Sequence, residues 1–117
     1  MSAIGAKLRS ATDSAGGRTL LHWCPACDGP HGIRIHLGVG QRAPVWSFDG
    51  NYERPTFSPS VRCFTAQNGQ ERTLCHYFIK AGRIEFCGDS PHELNGQTVE
   101  LPDWPYAPGE YGGIDEA

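Results

Sequence analysis

The stretch His22-Trp23-Cys24-Pro25-Ala26-Cys27-Asp28-Gly29-Pro30-His31 sets two cysteines two residues apart between flanking histidines, and it constrains the fold more than any other part of the chain. Two thiolates at this spacing turn their sulfurs toward one ion, so the stretch reads as half of a tetrahedral zinc site. A half-site obliges a distant segment to return to it. Cys75-His76 is the best placed to do so, with Cys87 and His92 shortly after. Successive side chains of a strand point to opposite faces, which separates Cys75 and His76 into different tasks. We therefore expect zinc on Cys24, Cys27, Cys75 and a fourth ligand. His31 is the preferred fourth, because Gly29-Pro30 can fold the chain back over the ion; Cys87 is the other candidate. The plain alternative is a tight turn carrying free thiols.

At 117 residues the chain is one domain, of a size at which a metal staple adds usefully to stability. Fifteen glycines and nine prolines make it turn-rich and speak against long helices. A net charge of -3 exerts no general pull on phosphate backbones, and the modest cluster Lys7, Arg9 and Arg18 reads as a solvated lead-in, so nucleic acid is not an expected partner. No apolar run approaches the roughly twenty residues of a membrane span. The N-terminus lacks the continuous apolar stretch of a secretion signal, which points to the cytoplasm of a bacterial cell or phage-infected host. Five cysteines in such a setting read as ligands or reduced thiols, with Cys63 a buried free thiol.

The pattern along the chain predicts a mainly β fold: a small single domain of antiparallel sheet and hairpins with a zinc knuckle and one short helical turn. Residues 1–18 read as a flexible N-terminal segment, 19–104 as the zinc-stabilised β domain, and 105–117 as an extended tail. Ile33, Ile35 and Leu37 alternate with Arg34 and His36, the signature of a half-buried strand with His36 toward solvent. Further strands are expected over 18–23, 44–48, 60–65, 73–79, 83–87 and 97–101. Asp49-Gly50-Asn51 and Gln67-Asn68-Gly69-Gln70 supply turns. A three-residue loop, Lys80-Ala81-Gly82, would pair Phe78 with Ile84 and His76 with Phe86 on an apolar face, leaving Cys75, Tyr77, Glu85 and Cys87 on the other. Phe78, Ile84, Phe86, Ile33 and Ile35 are then the expected core. Ser90 as N-cap, Pro91 at the first helical position and Glu93 reaching back predict the helical turn.

In that register His76 meets Asp89, Ser90 and His92 where the partner strand ends. A serine becomes nucleophilic when a neighbouring base takes its proton, and an imidazole held by a carboxylate is the usual base. Ser90 is thus the expected nucleophile, His76 or His92 the base and Asp89 the orienting acid. The competing account has the Ser90 hydroxyl capping the amide of His92 or Glu93. A catalytic metal on His76 and His92 is a third possibility, unsupported by any His-Glu-x-x-His pattern. Trp23 and Trp46 could stack on bases, but a tryptophan core is the simpler reading.

Taken together, several motifs carry a resemblance. They are His22-Trp23-Cys24-Pro25-x-Cys27 with Pro30-His31-Gly32-Ile33, Trp46-Ser47-Phe48-Asp49-Gly50-Asn51 and Pro55-Thr56-Phe57-Ser58-Pro59-Ser60-Val61. Beyond them lie Cys75-His76-x-Phe78-Ile79-x-x-Gly82-Arg83-Ile84-x-Phe86 and Asp89-Ser90-x-His92-x-Leu94-x-Gly96-Gln97-Thr98-Val99. Over residues 20–104 the chain resembles domain-of-unknown-function family 6527, whose members occur in phages, prophages and bacteria. The resemblance implies a neighbourhood in gene clusters for ubiquitin-like conjugation. The leading expectation is a zinc-binding β domain of phage or mobile-element type acting as an accessory or binding module for a protein or peptide. The alternative is a small hydrolase or peptidase using Ser90 with His76 and His92, linked to the processing of ubiquitin-like proteins.

Overall fold

The three-dimensional structure, a computed structural model, describes residues 5–106. Strands β1 (Arg9–Thr12), β2 (Arg18–Cys24) and β3 (Gly29–His36) form one antiparallel sheet in that order. Strands β4 (Ser47–Phe48), β5 (Phe57–Gln67), β6 (Gln70–Lys80), β7 (Arg83–Phe86) and β8 (Thr98–Glu100) form a second, again in chain order. The two inner faces share one core, in which Leu20 and Ile33 of the first sheet join Phe57, Val61, Tyr77, Ile79, Ile84 and Phe86 of the second. The mainly β, antiparallel expectation is met. No helix among the described residues is long and apolar enough to cross a membrane.

The expected helical turn at Pro91 does not form. Residues 88–96 are turns and bends, closed by Ser90 N to Cys87 O at 3.1 Å, Asn95 N to His92 O at 3.2 Å and Gln97 N to Leu94 O at 3.0 Å. Each spans three residues and none propagates; Gly96, at φ 72°, ends the series in the left-handed region. The lead-in also differs from expectation, since residues 9–12 within the segment read as flexible are β1. Asp13 closes the β1–β2 connection by accepting the amides of Ala15 (3.0 Å) and Gly17 (2.9 Å), and Leu8 is buried. Residues 1–4, and all but the first two residues of the expected tail, lie outside the described residues.

The β6–β7 hairpin positions the site. Its loop has two residues, Ala81 (φ 48°) and Gly82 (φ 79°), rather than three, so Lys80 pairs Arg83, Ile79 pairs Ile84 and Tyr77 pairs Phe86. Two consecutive left-handed residues match the right-handed twist of a hairpin. Gly82 is also pressed against the chain, since a Cβ there would meet Arg54 Cα at 3.1 Å. One residue of slip moves every side chain to the other face. Cys75, Tyr77 and Ile79 therefore point into the core, while His76 and Phe78 point out. Phe78, expected in the core, lies under Lys80, whose Nζ is 4.9 Å from the ring centroid. Ile35 packs at the core margin.

Candidate active site

Across the β5–β6 pair, Phe57 faces Ile79 and Val61 faces Tyr77, so residues 58–60 together stand opposite Phe78. Such a bulge adds residues to one strand and re-aims their side chains. Ser60 emerges on the outer face next to His76, and its carbonyl accepts the Trp46 indole N–H at 3.0 Å. The Ser60 hydroxyl lies 3.1 Å from His76 Nε2. On the other edge of the ring, Nδ1 lies 3.0 Å from Asp89 Oδ1 and 3.1 Å from Oδ2. An ionised carboxylate can only accept, so it assigns the ring proton to Nδ1 and leaves the Nε2 lone pair facing the Ser60 hydroxyl.

The histidine is held by its backbone as well. His76 O accepts from the Cys87 amide at 2.8 Å and from the Ser90 hydroxyl at 2.8 Å, while His76 N donates to that same hydroxyl at 3.0 Å. Ser90 is 2 % exposed. The residue expected as nucleophile thus has its oxygen committed to the main chain of His76, and neither imidazole is its partner. The capping account fails in detail too, because the amide it accepts is that of His76, across the sheet. Ser90→Ala would leave the His76 amide without its partner, while His76 O keeps the Cys87 amide, at a cost of about 1–3 kcal/mol. Thermal denaturation should show that loss, with reactivity at Ser60 reduced but present. Complete loss of reactivity in a fully stable Ser90→Ala protein would overturn this assignment.

His92 stands apart from His76 and Ser60. Its Nε2 is 3.3 Å from Cys75 Sγ and its Nδ1 receives the Leu94 amide at 3.2 Å. The sulfurs of Cys24, Cys27 and Cys75 lie within 4.8 Å of one another, with Cys24 and Cys75 buried. A thiol hydrogen bond from Cys75 brings Cys24 down to about 6. Burial and then the neighbouring Cys24 sulfur raise Cys27 to about 11. Cys75, hydrogen-bonded to Cys24 and desolvated, is pushed higher still. His31, expected beside these sulfurs, bonds the buried Tyr77 hydroxyl through Nδ1 at 3.0 Å, as His22 does through Nε2 at 2.6 Å. Cys87 is grouped with His76 and Asp89. Trp23 packs edge-on to Trp104.

Ser60 escaped the sequence reading. Prolines at 55 and 59 marked its segment only as extended, and its partners lie 16 and 29 residues onward. Its one advance signal was the pairing of the two long strands, which puts Ser60 and Arg62 on the face of His76 once the hairpin register is right.

The chain matches the protein-family profile described as bacterial ubiquitination-like system serine protease (BubE), over residues 4–87. This match replaces the resemblance to domain-of-unknown-function family 6527 and the phage-type setting inferred with it. It favours the hydrolase alternative over the accessory-module reading. The match includes Ser60 and His76 and ends two residues before Asp89. No curated protein and no solved structure matches the chain.

Proposed function

Because the chain belongs to the family of bacterial ubiquitination-like system serine proteases, BubE, we propose that it cleaves proteins of such a system with Ser60 as nucleophile, His76 as general base and Asp89 as the orienting acid. The observation that carries this reading is the continuous hydrogen-bonded series from the Ser60 hydroxyl through both nitrogens of His76 to the Asp89 carboxylate. Ser60 Oγ bonds to the scissile carbonyl carbon as its proton passes to His76 Nε2. His76 then returns that proton to the departing amine, leaving an ester on Ser60. A water activated by the same nitrogen hydrolyses the ester and restores the serine. Asp89 stabilises the imidazolium formed in each half of the cycle.

The surroundings support a polypeptide substrate. The site lies on the outer face of a sheet, with the Asp89 side chain 62 % exposed and that of His76 25 % exposed, so an extended chain can reach the serine across an open surface. The bulge also takes residues 58–60 out of the pairing with β6, which loosens the strand beside the serine.

A fluorophosphonate probe tests the assignment without knowledge of the substrate, since it phosphonylates activated serines. One adduct per chain is expected, mapped by mass spectrometry to Ser60 and abolished by prior heat denaturation. An adduct at Ser90, or none on a folded protein, would refute it.

A further inference from the structure

We propose that Cys24, Cys27, Cys75 and His92 form a closed structural zinc site that fastens the two sheets together behind the reactive face. The ligands come from three places in the chain. Cys24 ends β2 and Cys27 lies in the turn that follows; Cys75 is on β6 of the second sheet; His92 follows Asp89 by three residues. Four ligands without an open position fit a structural ion, and three thiolates with one imidazole are a ligand set suited to zinc.

The sulfur spacing is near what an ion requires, and His92 reaches Cys75 but stands outside the group of three sulfurs, so its ring must close toward Cys24 and Cys27 to complete a tetrahedron. With Zn–S near 2.3 Å and Zn–N near 2.0–2.1 Å, a regular tetrahedron sets sulfurs about 3.8 Å apart and sulfur to nitrogen at about 3.6 Å. The three sulfurs lie within 4.8 Å of one another and His92 Nε2 is 3.3 Å from Cys75 Sγ. The Cys27 amide already points at Cys24 Sγ, at 3.4 Å, an N–H···S bond that stabilises a coordinated thiolate. A metal on His92 Nε2 moves the ring proton to Nδ1, so the Leu94 amide must then find another acceptor. His31, occupied with Tyr77, is outside the set.

The site bears on the reactive residues through the backbone. Cys75 precedes His76 directly, and Pro25 and Ala26 of the knuckle border the same surface depression as Pro91 to Leu94. An ion there fixes the start of the segment that presents Asp89. The proposal does not depend on the protease reading, and its test needs no activity.

Elemental analysis of the full chain, purified without added metal, should find one zinc per chain, and a strong chelator should lower the melting temperature markedly. His31→Ala should retain the zinc. His92→Ala should lose it to a chelator that leaves the parent loaded. Because cysteine variants can fail to fold, the ligand class is read on the parent chain: refolding with cobalt(II) should give the visible bands of a tetrahedral thiolate complex. Absence of stoichiometric zinc, iron in its place, or retention by His92→Ala with loss in His31→Ala would overturn the proposal. Ser60→Ala should carry the same zinc, so a failed labelling experiment and a failed metal analysis remain separate results.

Discussion

Ser60→Ala should reduce turnover of an activated ester such as p-nitrophenyl acetate on the order of a millionfold, with the melting temperature unchanged. The substitution removes only the hydroxyl. The contact that anchors this position, from the Trp46 indole to Ser60 O, is made by the backbone and survives. His76→Ala should cost about as much, and the double variant should be no worse than either single one, because nucleophile and base act as a unit and their effects do not add. A double variant that lost the product of two separate large factors would indicate that the two residues work independently. Retained turnover in Ser60→Ala would move the nucleophile elsewhere.

Asp89→Asn should lower the rate by about a thousand- to ten-thousandfold with little change in stability. An asparagine that turns its amide donor toward Nδ1 favours the tautomer with the proton on Nε2, which then presents a hydrogen rather than a lone pair to Ser60. The exposure of Asp89 also allows water to stand in for part of the carboxylate's effect, which keeps the loss below that of Ser60→Ala. Progress curves under single-turnover conditions would resolve acylation from release. A variant within twofold of the parent would show that the carboxylate does not set the tautomer.

Much of the fold was legible because alternation has a short period. Ile33 and Ile35 against Arg34 and His36, and Asn68-Gly69 at a left-handed turn (φ 52° and 78°), are local patterns that survive any packing. The β6–β7 register was not legible, because Gly82 suits both a two- and a three-residue loop. What decided it was Ala81 in a left-handed conformation together with the contact of Gly82 on Arg54, a segment distant in sequence. That one residue determined whether His76 faced the core or solvent, and with it which serine lies beside its Nε2. That His76 and Asp89 meet was legible, because a carboxylate and an imidazole near a strand end need little geometry to do so. Ser90 satisfies the same proximity argument as a serine beside Asp89, whereas its burial against the main chain of His76 is a tertiary fact.

The three hydrogen-bonded side chains Ser60, His76 and Asp89 all belong to one continuous ribbon, Ser60 to Asp89, in which β5, β6 and β7 are joined by turns of two residues. Closing such turns costs little chain entropy, and contacts between near neighbours in sequence form quickly. Joining Cys24 to Cys75 and His92 closes loops of some fifty and seventy residues. On these grounds the ribbon that brings serine, histidine and aspartate together is expected to zip up before the first sheet docks. A chain still in the course of folding would hold the right atoms in the right order without yet being able to use them.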